Sequence, residues 1–215
     1  MKKKSLKTQK AYAKWAESYD QCDNPTRDLD HRVIQQLPIE LSGKEVIEVG
    51  CGTGKNTVWF AEKAKTVVAM DFSHEMLQRA MEKVSDERVT FLQHDIAYPW
   101  PLPSESGDFI SINLVLEHLR DIDSVLKEAY RVLREGGYLY ISELHPAKHK
   151  RGTQARFIDP VSYQMVNIES FYHDEEEFLS VGKKVGFRPI KVQDWYDDDA
   201  PKDAPPRLLS ILFQK

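Results

Sequence analysis

Hydrophobic positions along this 215-residue chain follow two rhythms that alternate through its middle. Short β-branched runs, such as Val46-Ile-Glu-Val49 and Thr66-Val-Val-Ala-Met70, place apolar side chains on both faces, as strands inside a sheet require. Between them, apolar residues return every three or four positions, the spacing of helices that cover a sheet. The pattern predicts strands over 45–49, 66–70, 88–92, 108–112 and 137–142, and helices over 55–64, 74–84 and 122–133. Strands and helices in this order imply an α/β fold with a parallel sheet and right-handed crossovers. Gly136-Gly137 reads as the stop of the 122–133 helix.

The flanks read differently. Lys2–Lys10 is basic and polar and is expected to fray. Ala11–Tyr19 carries aromatics at helical spacing, and Arg27–Leu37 predicts a second helix stopped by Pro38. Residues 144–172 break the rhythm with Pro, Gly, His and basic residues. Asp174-Glu-Glu-Glu177 then opens a late helix through a D-x-x-E form of the capping box, ending near Gly186. Phe187–Trp195 and Leu208–Phe213 predict two last strands, joined by the acidic, proline-rich stretch Tyr196–Pro206.

Chemistry concentrates where the first strand stops. Val46-Ile-Glu-Val-Gly-Cys-Gly-Thr-Gly54 runs from a buried strand into three glycines spaced by two, and Lys55 begins a helix. Gly50, Gly52 and Gly54 let the backbone turn sharply and approach a ligand closely. Dinucleotide sites use G-x-G-x-x-G, with pyrophosphate on the helix N-terminus. Here the spacing is G-x-G-x-G, and Glu48 puts a carboxylate beside the loop. That charge repels pyrophosphate and suits a cation. S-adenosylmethionine carries an ammonium and a sulfonium and no phosphate, so the motif favours a sulfonium donor. Asp71 ends the second strand about twenty residues on, where α/β nucleotide sites place a carboxylate on the ribose diol. Ser73 after it is a natural N-cap.

With these motifs the chain resembles the class I S-adenosylmethionine-dependent methyltransferases, especially the small-molecule, ubiquinone/menaquinone-biosynthesis-like type 11 branch. The resemblance covers roughly residues 40–145. Its motifs are Glu48–Gly54, Met70-Asp-Phe-Ser-His-Glu-Met-Leu77, His94-Asp-Ile96, Gly107–Asn113 with Leu116-Glu-His118, and Arg131-Val-Leu-Arg-Glu-Gly-Gly137. It implies a Rossmann-like, seven-stranded, mostly parallel sheet with an antiparallel terminal hairpin, helices on both faces, an N-terminal helical lid and an insertion after strand five. It also implies a single domain over 1–215: lid 1–40, cofactor core 41–143, substrate cap 144–172, and terminal helix and hairpin 173–215.

Cofactor contacts follow position by position. Glu48, Gly50, Cys51, Gly52 and Gly54 form the loop, and Asp71, with Phe72 and Met76 beyond it, meets the ribose end. The resemblance gives Asp95 the adenine amino group, the Ile96 N–H a ring nitrogen, Asn113 the methionine half, and Tyr19 the part of a lid over that half. Tyr12 and Trp15 read as core aromatics on the same helix.

Methyl transfer is an in-line displacement at an activated carbon, and a base is needed only when the acceptor must lose a proton. His118 after strand four and His145 after strand five are the candidate bases, with Glu143, His149 and His173 as further titratable groups. Lys148, Lys150, Arg151 and Arg156 make the 144–172 segment locally basic. Arg151 and Arg156 are therefore expected to hold an anionic acceptor under a cap walled by Phe157, Tyr163, Met165, Phe171 and Tyr172.

Composition trims the alternatives. A net charge of −4 gives no global reason to bind nucleic acid, and Asn113 is followed by Leu-Val-Leu instead of the Pro-Pro-Tyr of amino-methylating DNA enzymes. No apolar run reaches the length of a membrane span, and no apolar core follows the first lysines. Cys22 and Cys51, far apart, read as free thiols of a cytoplasmic protein, and Pro146 after His145 spoils the H-x-x-x-H spacing a metal would use. The expectation is a cytoplasmic enzyme without metal. It methylates a small, anionic or partly apolar acceptor. A carrier-linked acyl carboxylate, or a non-catalytic role as a cofactor-binding sensor or partner subunit, is the alternative.

Overall fold

The computed structural model describes residues 2–159 and 162–215, and side chains from residue 7 onward. The predicted alternation is present: β1 (Glu45–Val49), α3 (Lys55–Lys63), β2 (Thr66–Asp71), α4 (His74–Lys83), β3 (Val89–Gln93), β4 (Gly107–Asn113), α5 (Asp123–Val132) and β5 (Leu133–Leu144). Two helices precede it, α1 (Lys2–Trp15) and α2 (Pro25–Ile34). After β5 come α6 (Pro146–Lys150), a small hairpin of β6 (Arg156–Ile158) and β7 (Met165–Asn167), α7 (Glu175–Val185), β8 (Arg188–Trp195) and β9 (Leu208–Gln214).

The main sheet has the order β3-β2-β1-β4-β5-β9-β8. Strands β1 to β5 run parallel, and β9 pairs antiparallel with both β5 and β8. The chain winds outward from β1 to β3, then returns to add β4 on the other side of β1. Ligands of open α/β sheets bind outside the carboxyl ends of the strands at such a reversal. The registers Val49↔Met70, Val49↔Ile112 and Asn113↔Ser142 bring Glu48, Asp71, Asn113 and Glu143 to that one edge.

Strand alternation divides the core between two faces. Ile47, Val49, Ile110 and Ile112 pack toward Leu126 and Val132 of α5 and Phe178 of α7. Val46, Val67 and Phe109 pack toward Val33 and Ile34 of α2, Phe60 of α3 and Leu77 of α4. Two glycines fix the loop between these layers. Gly50 has φ +73°, and a Cβ there would stand 2.1 Å from Val115 Cγ2. Gly54 has φ +81°, and a Cβ there would press within 3.1 Å of the Ala80 Cβ, so this glycine lets α3 close on α4.

Two expectations are corrected. The Lys2–Lys10 stretch does not fray; it forms the first turns of α1. Thr8 is buried, and Gln9 donates from Nε2 to the Phe72 carbonyl at 2.5 Å, which ties this polar helix to the end of β2. Gly136-Gly137 does not stop α5, whose last residue is Val132. Leu133 is already extended, and the Arg134 guanidinium is held by Glu45 at 2.6 Å and Asp108 at 3.0 Å, so the chain joins the sheet three residues earlier. The capping expectation agrees with the structure: the Asp174 side chain accepts from Glu177 N at 2.9 Å. Among the described residues, no helix is long and apolar enough to cross a membrane.

Candidate active site

A cavity of about 330 Å³ opens at the reversal point of the sheet. Glu48, Gly50, Cys51, Gly52, Asp71 and Phe72 line it from the ends of β1 and β2. Met76, Asp95, Ile96 and Asn113 line it from α4, the loop after β3 and the end of β4, and Tyr19 and His118 close it from above. The structure thus brings together every cofactor residue expected from the sequence except Gly54, whose place is the α3–α4 contact beneath the loop.

The strand ends carry an unusual set of acids. Glu48 is buried and accepts from the Thr57 hydroxyl at 2.5 Å, and burial pushes its carboxyl up to about 8. Asp71 accepts from the N–H groups of Gly52 at 2.9 Å and Ser73 at 2.8 Å; burial still pushes it up to about 6. A third acid, Asp30 of α2, accepts from Asn113 Nδ2 at 2.8 Å and Asn56 Nδ2 at 3.1 Å, and burial raises it too.

Opposite the acids stands Arg27. Its guanidinium donates to the carbonyls of Tyr19 at 2.5 Å and Cys22 at 2.8 Å and lies 4.7 Å from the centre of the Tyr19 ring. Its Nε is buried and has no hydrogen-bond partner among the described residues. Gly52 lines the cavity at φ +55° with open space where a Cβ would project. An amino-acid zwitterion matches these features: acids for its ammonium, the Arg27 guanidinium for its carboxylate, and a bare backbone for close approach. The donor set therefore fits S-adenosylmethionine.

The other end of the cavity is built from distant segments. The loop after β4 makes a 3₁₀ turn over Leu116–His118, whose first N–H groups are held by Glu143 of β5. The carboxylate accepts from Val115 N at 3.0 Å and Leu116 N at 2.8 Å, and burial pushes it up to about 8. Glu143 is thus an anchor of the turn and does not line the cavity. His118 faces Tyr12 of α1, with Nε2 and the phenol oxygen 2.8 Å apart, and its Nδ1 lies 3.0 Å from the Glu169 carbonyl. Phe171 adds an apolar wall with Arg120 over its ring at 5.2 Å. The β6–β7 hairpin seats Phe157 flat on Trp15 of α1, centroids 5.1 Å apart, and so braces the helix that carries Tyr12.

Three expected residues lie elsewhere. His145 caps α6 by accepting from Ala147 N at 3.0 Å, and its Nε2 lies 3.2 Å from Asp194 of β8. Pro146 after it starts α6 and turns its ring toward β8; burial holds His145 below its ordinary range. Arg151 is exposed at the end of α6, and Arg156 is exposed on β6. Strand alternation gives the inward place on β6 to Phe157, so Arg156 points away. None of the three lines the cavity. His149 stacks on Tyr172, and His173 donates from Nε2 to the Leu119 carbonyl at 2.7 Å.

Asp30 and Arg27 line the cavity though neither is marked by a sequence motif, and Tyr12, expected in the core, lines it as well. A signal was present for the first two: positions 27, 30 and 34 share one face of α2 with Leu29 and Val33 beside them, and charge on a buried stripe needs a reason.

Residues 47–141 match the family described as a methyltransferase domain. An uncharacterised methyltransferase of Emericella nidulans is 29% identical over 86% of this chain and 77% of its own. The malonyl-[acyl-carrier protein] O-methyltransferase of Yersinia pestis is 36% identical over 62% of this chain, which spans only about half, 49%, of that protein. An S-adenosylmethionine-dependent methyltransferase of Mesorhizobium loti has the same fold, with a TM-score of 0.75, 19% identity, and coverage of 87% of this chain and 98% of that one. Together with the sheet order and the glycine loop, these matches show a methyltransferase domain over residues 47–141, built on the fold shared by S-adenosylmethionine-dependent methyltransferases.

Proposed function

We propose that this enzyme transfers the methyl group of S-adenosylmethionine to a small, neutral, partly apolar acceptor bound beneath α1 and the segment after β7. The observation that carries the reading is the continuity of one cavity. Its floor presents Glu48, Asp71 and the glycine loop, and its roof presents Tyr12, His118 and Phe171. The cofactor supplies a methyl carbon already activated by a sulfonium. Everything else falls to the chain's own residues.

Glu48 and Asp30 hold the ammonium, Arg27 with Tyr19 the carboxylate, Asp71 the ribose diol, and Asp95 with the Ile96 N–H the adenine. Cys51, Gly52 and Gly50 give backbone contact, Phe72 and Met76 flank the nucleoside, and Asn113 keeps Asp30 oriented. His118 is the base, and His145 becomes a cap of α6 that supports β8.

The anionic acceptor expected from Arg151 and Arg156 finds little support in the cavity. Neither arginine lines it, and of the charged residues at its acceptor end, Asp121, Glu169 and Arg120, one is a cation. Purified enzyme should bind S-adenosylhomocysteine by calorimetry and move label from S-adenosylmethionine onto a neutral acceptor. Tight NAD binding without any S-adenosylhomocysteine heat would contradict the cofactor reading. Labelled product from carboxylates alone would contradict the acceptor reading.

A further inference from the structure

The turn after β4 contains a buried acid that the cofactor end does not use. The Glu117 side chain is only 13% exposed, and its Oε1 lies 3.8 Å from His118 Nε2. Its Oε2 is buried and has no hydrogen-bond partner among the described residues. A carboxylate in that condition is costly unless a charge of opposite sign appears beside it.

Hydrogen bonding determines the state of the neighbouring imidazole. The Glu169 carbonyl can only accept, so His118 Nδ1 carries the hydrogen. In the neutral ring Nε2 is then an acceptor, and the Tyr12 hydroxyl donates to it. Burial, together with Tyr19 and Glu117, raises the Tyr12 phenol well above its usual range, so the phenol keeps its proton. The result is a cluster on one ring nitrogen: the Tyr12 phenol at 2.8 Å and the Glu117 carboxylate at 3.8 Å both face His118 Nε2, and phenol and imidazole both line the cavity. Its charge is balanced only after a proton has moved onto Nε2.

On the methyltransferase reading above, we propose that the acceptor carries a hydroxyl group, that Tyr12 and His118 relay its proton, and that Glu117 is the positioning residue for the imidazolium. The acceptor oxygen forms its new bond to the methyl carbon as the carbon–sulfur bond breaks, its electron pair passing to sulfur. The acceptor proton passes to the Tyr12 oxygen while the Tyr12 proton passes to His118 Nε2. The imidazolium then loses the proton to solvent, so a methyl ether, a thioether and one proton leave the enzyme. Tyr12 is a catalytic residue in this scheme because its oxygen meets the acceptor; Glu117 acts only through His118.

The charges facing the pair favour a neutral hydroxyl. Tyr12 and Tyr19 come from α1 and the turn after it, Asp71 from β2, Glu143 from β5, Glu169 from the segment after β7, and Glu117 and Arg120 from the turn itself. The cation among them, Arg120, lies over the Phe171 ring. An acceptor that arrived as an anion would need no relay.

The test combines a nuclear magnetic resonance titration of His118 in the S-adenosylhomocysteine complex with label transfer to matched panels of phenols and benzoates. Glu117→Gln should change the His118 titration and move the acid limb of kcat/KM to lower pH, because the carboxylate beside Nε2 favours the imidazolium. Tyr12→Phe should reduce kcat on phenols about a hundredfold or more, with S-adenosylhomocysteine affinity within about twofold of wild type. An unchanged His118 titration in Glu117→Gln, full turnover in Tyr12→Phe, or exclusive labelling of benzoates would overturn the relay. Wild-type protein that ignores S-adenosylhomocysteine would instead overturn the methyltransferase reading beneath it.

Discussion

The two ends of the cavity are made in opposite ways. The floor comes from chain segments that are consecutive and rigid: each strand delivers its last residue to one edge, and the sheet registers set their relative positions. The roof is assembled from α1, the 3₁₀ turn, and the stretch after β7, so that Tyr12 meets His118 across 106 residues of sequence and His118 meets Glu169 across 51. A site of the first kind can be specified by a short motif, and the second kind exists only after tertiary packing. The first binds a fixed cofactor and the second adapts to an acceptor, which is why the fold hosts many acceptors on one cradle.

If that division is real, variants in the two halves should fail differently. The largest effect is expected at the junction. Gly50→Val places a branched side chain on Val115 at a positive φ, and should remove S-adenosylhomocysteine binding and lower the melting temperature by several degrees. A calorimetric trace like wild type would show that the loop is less constrained than its geometry requires. His118→Gln comes next, with kcat down about a hundredfold or more and the acid limb of the pH profile gone. A surviving limb would assign the base elsewhere.

Asp71→Ala should weaken S-adenosylhomocysteine by about ten- to hundredfold, the loss of a bond to a charged group. An unchanged dissociation constant in folded protein would take Asp71 out of the floor. A milder effect comes from pH. Burial raises Glu48 and Glu143 to about 8 and Asp71 to about 6 in the folded chain, above their unfolded values. The folded state therefore binds more protons than the unfolded one, and the stability these groups contribute, fully present below about pH 4, is lost as pH rises through 6 to 8. Ligand-free protein should melt at lower temperature at pH 8 than at pH 6, and S-adenosylhomocysteine should recover more of the loss at pH 8, where the acids are ready for its ammonium. A melting temperature that rises with pH would reverse this sign. The smallest effect is expected for Arg151→Ala and Arg156→Ala, both exposed: cofactor affinity and kcat/KM within about twofold of wild type.

The contrast also explains what the sequence could tell. Strand and helix bounds from β1 through α4 were legible because buried parallel strands read as continuous apolar runs and the glycine loop admits few other residues. Glu48, Asp71 and Asn113 were legible because each ends such a run. Tyr12 was not: its aromatic spacing fits a core residue equally well, and its contacts with Phe72 and His118 arise only from tertiary packing. The basic segment misled for a related reason. Its charge was visible, but the alternation that sends Phe157 inward and Arg156 outward depends on which face of a three-residue strand is covered. Glu117 and Glu143 illustrate the same limit, since adjacent motifs gave both acids and only packing separates an anchor of the turn from a partner of His118.

The account stands on the separation of floor and roof, and one calorimetric series tests it directly. S-adenosylhomocysteine is titrated into wild type, Asp71→Ala and His118→Gln under one set of conditions. The predicted result is a dissociation constant at least tenfold weaker for Asp71→Ala and within about twofold of wild type for His118→Gln. Equal weakening in both variants would contradict it, because His118 would then belong to the cofactor cradle and not to the acceptor wall.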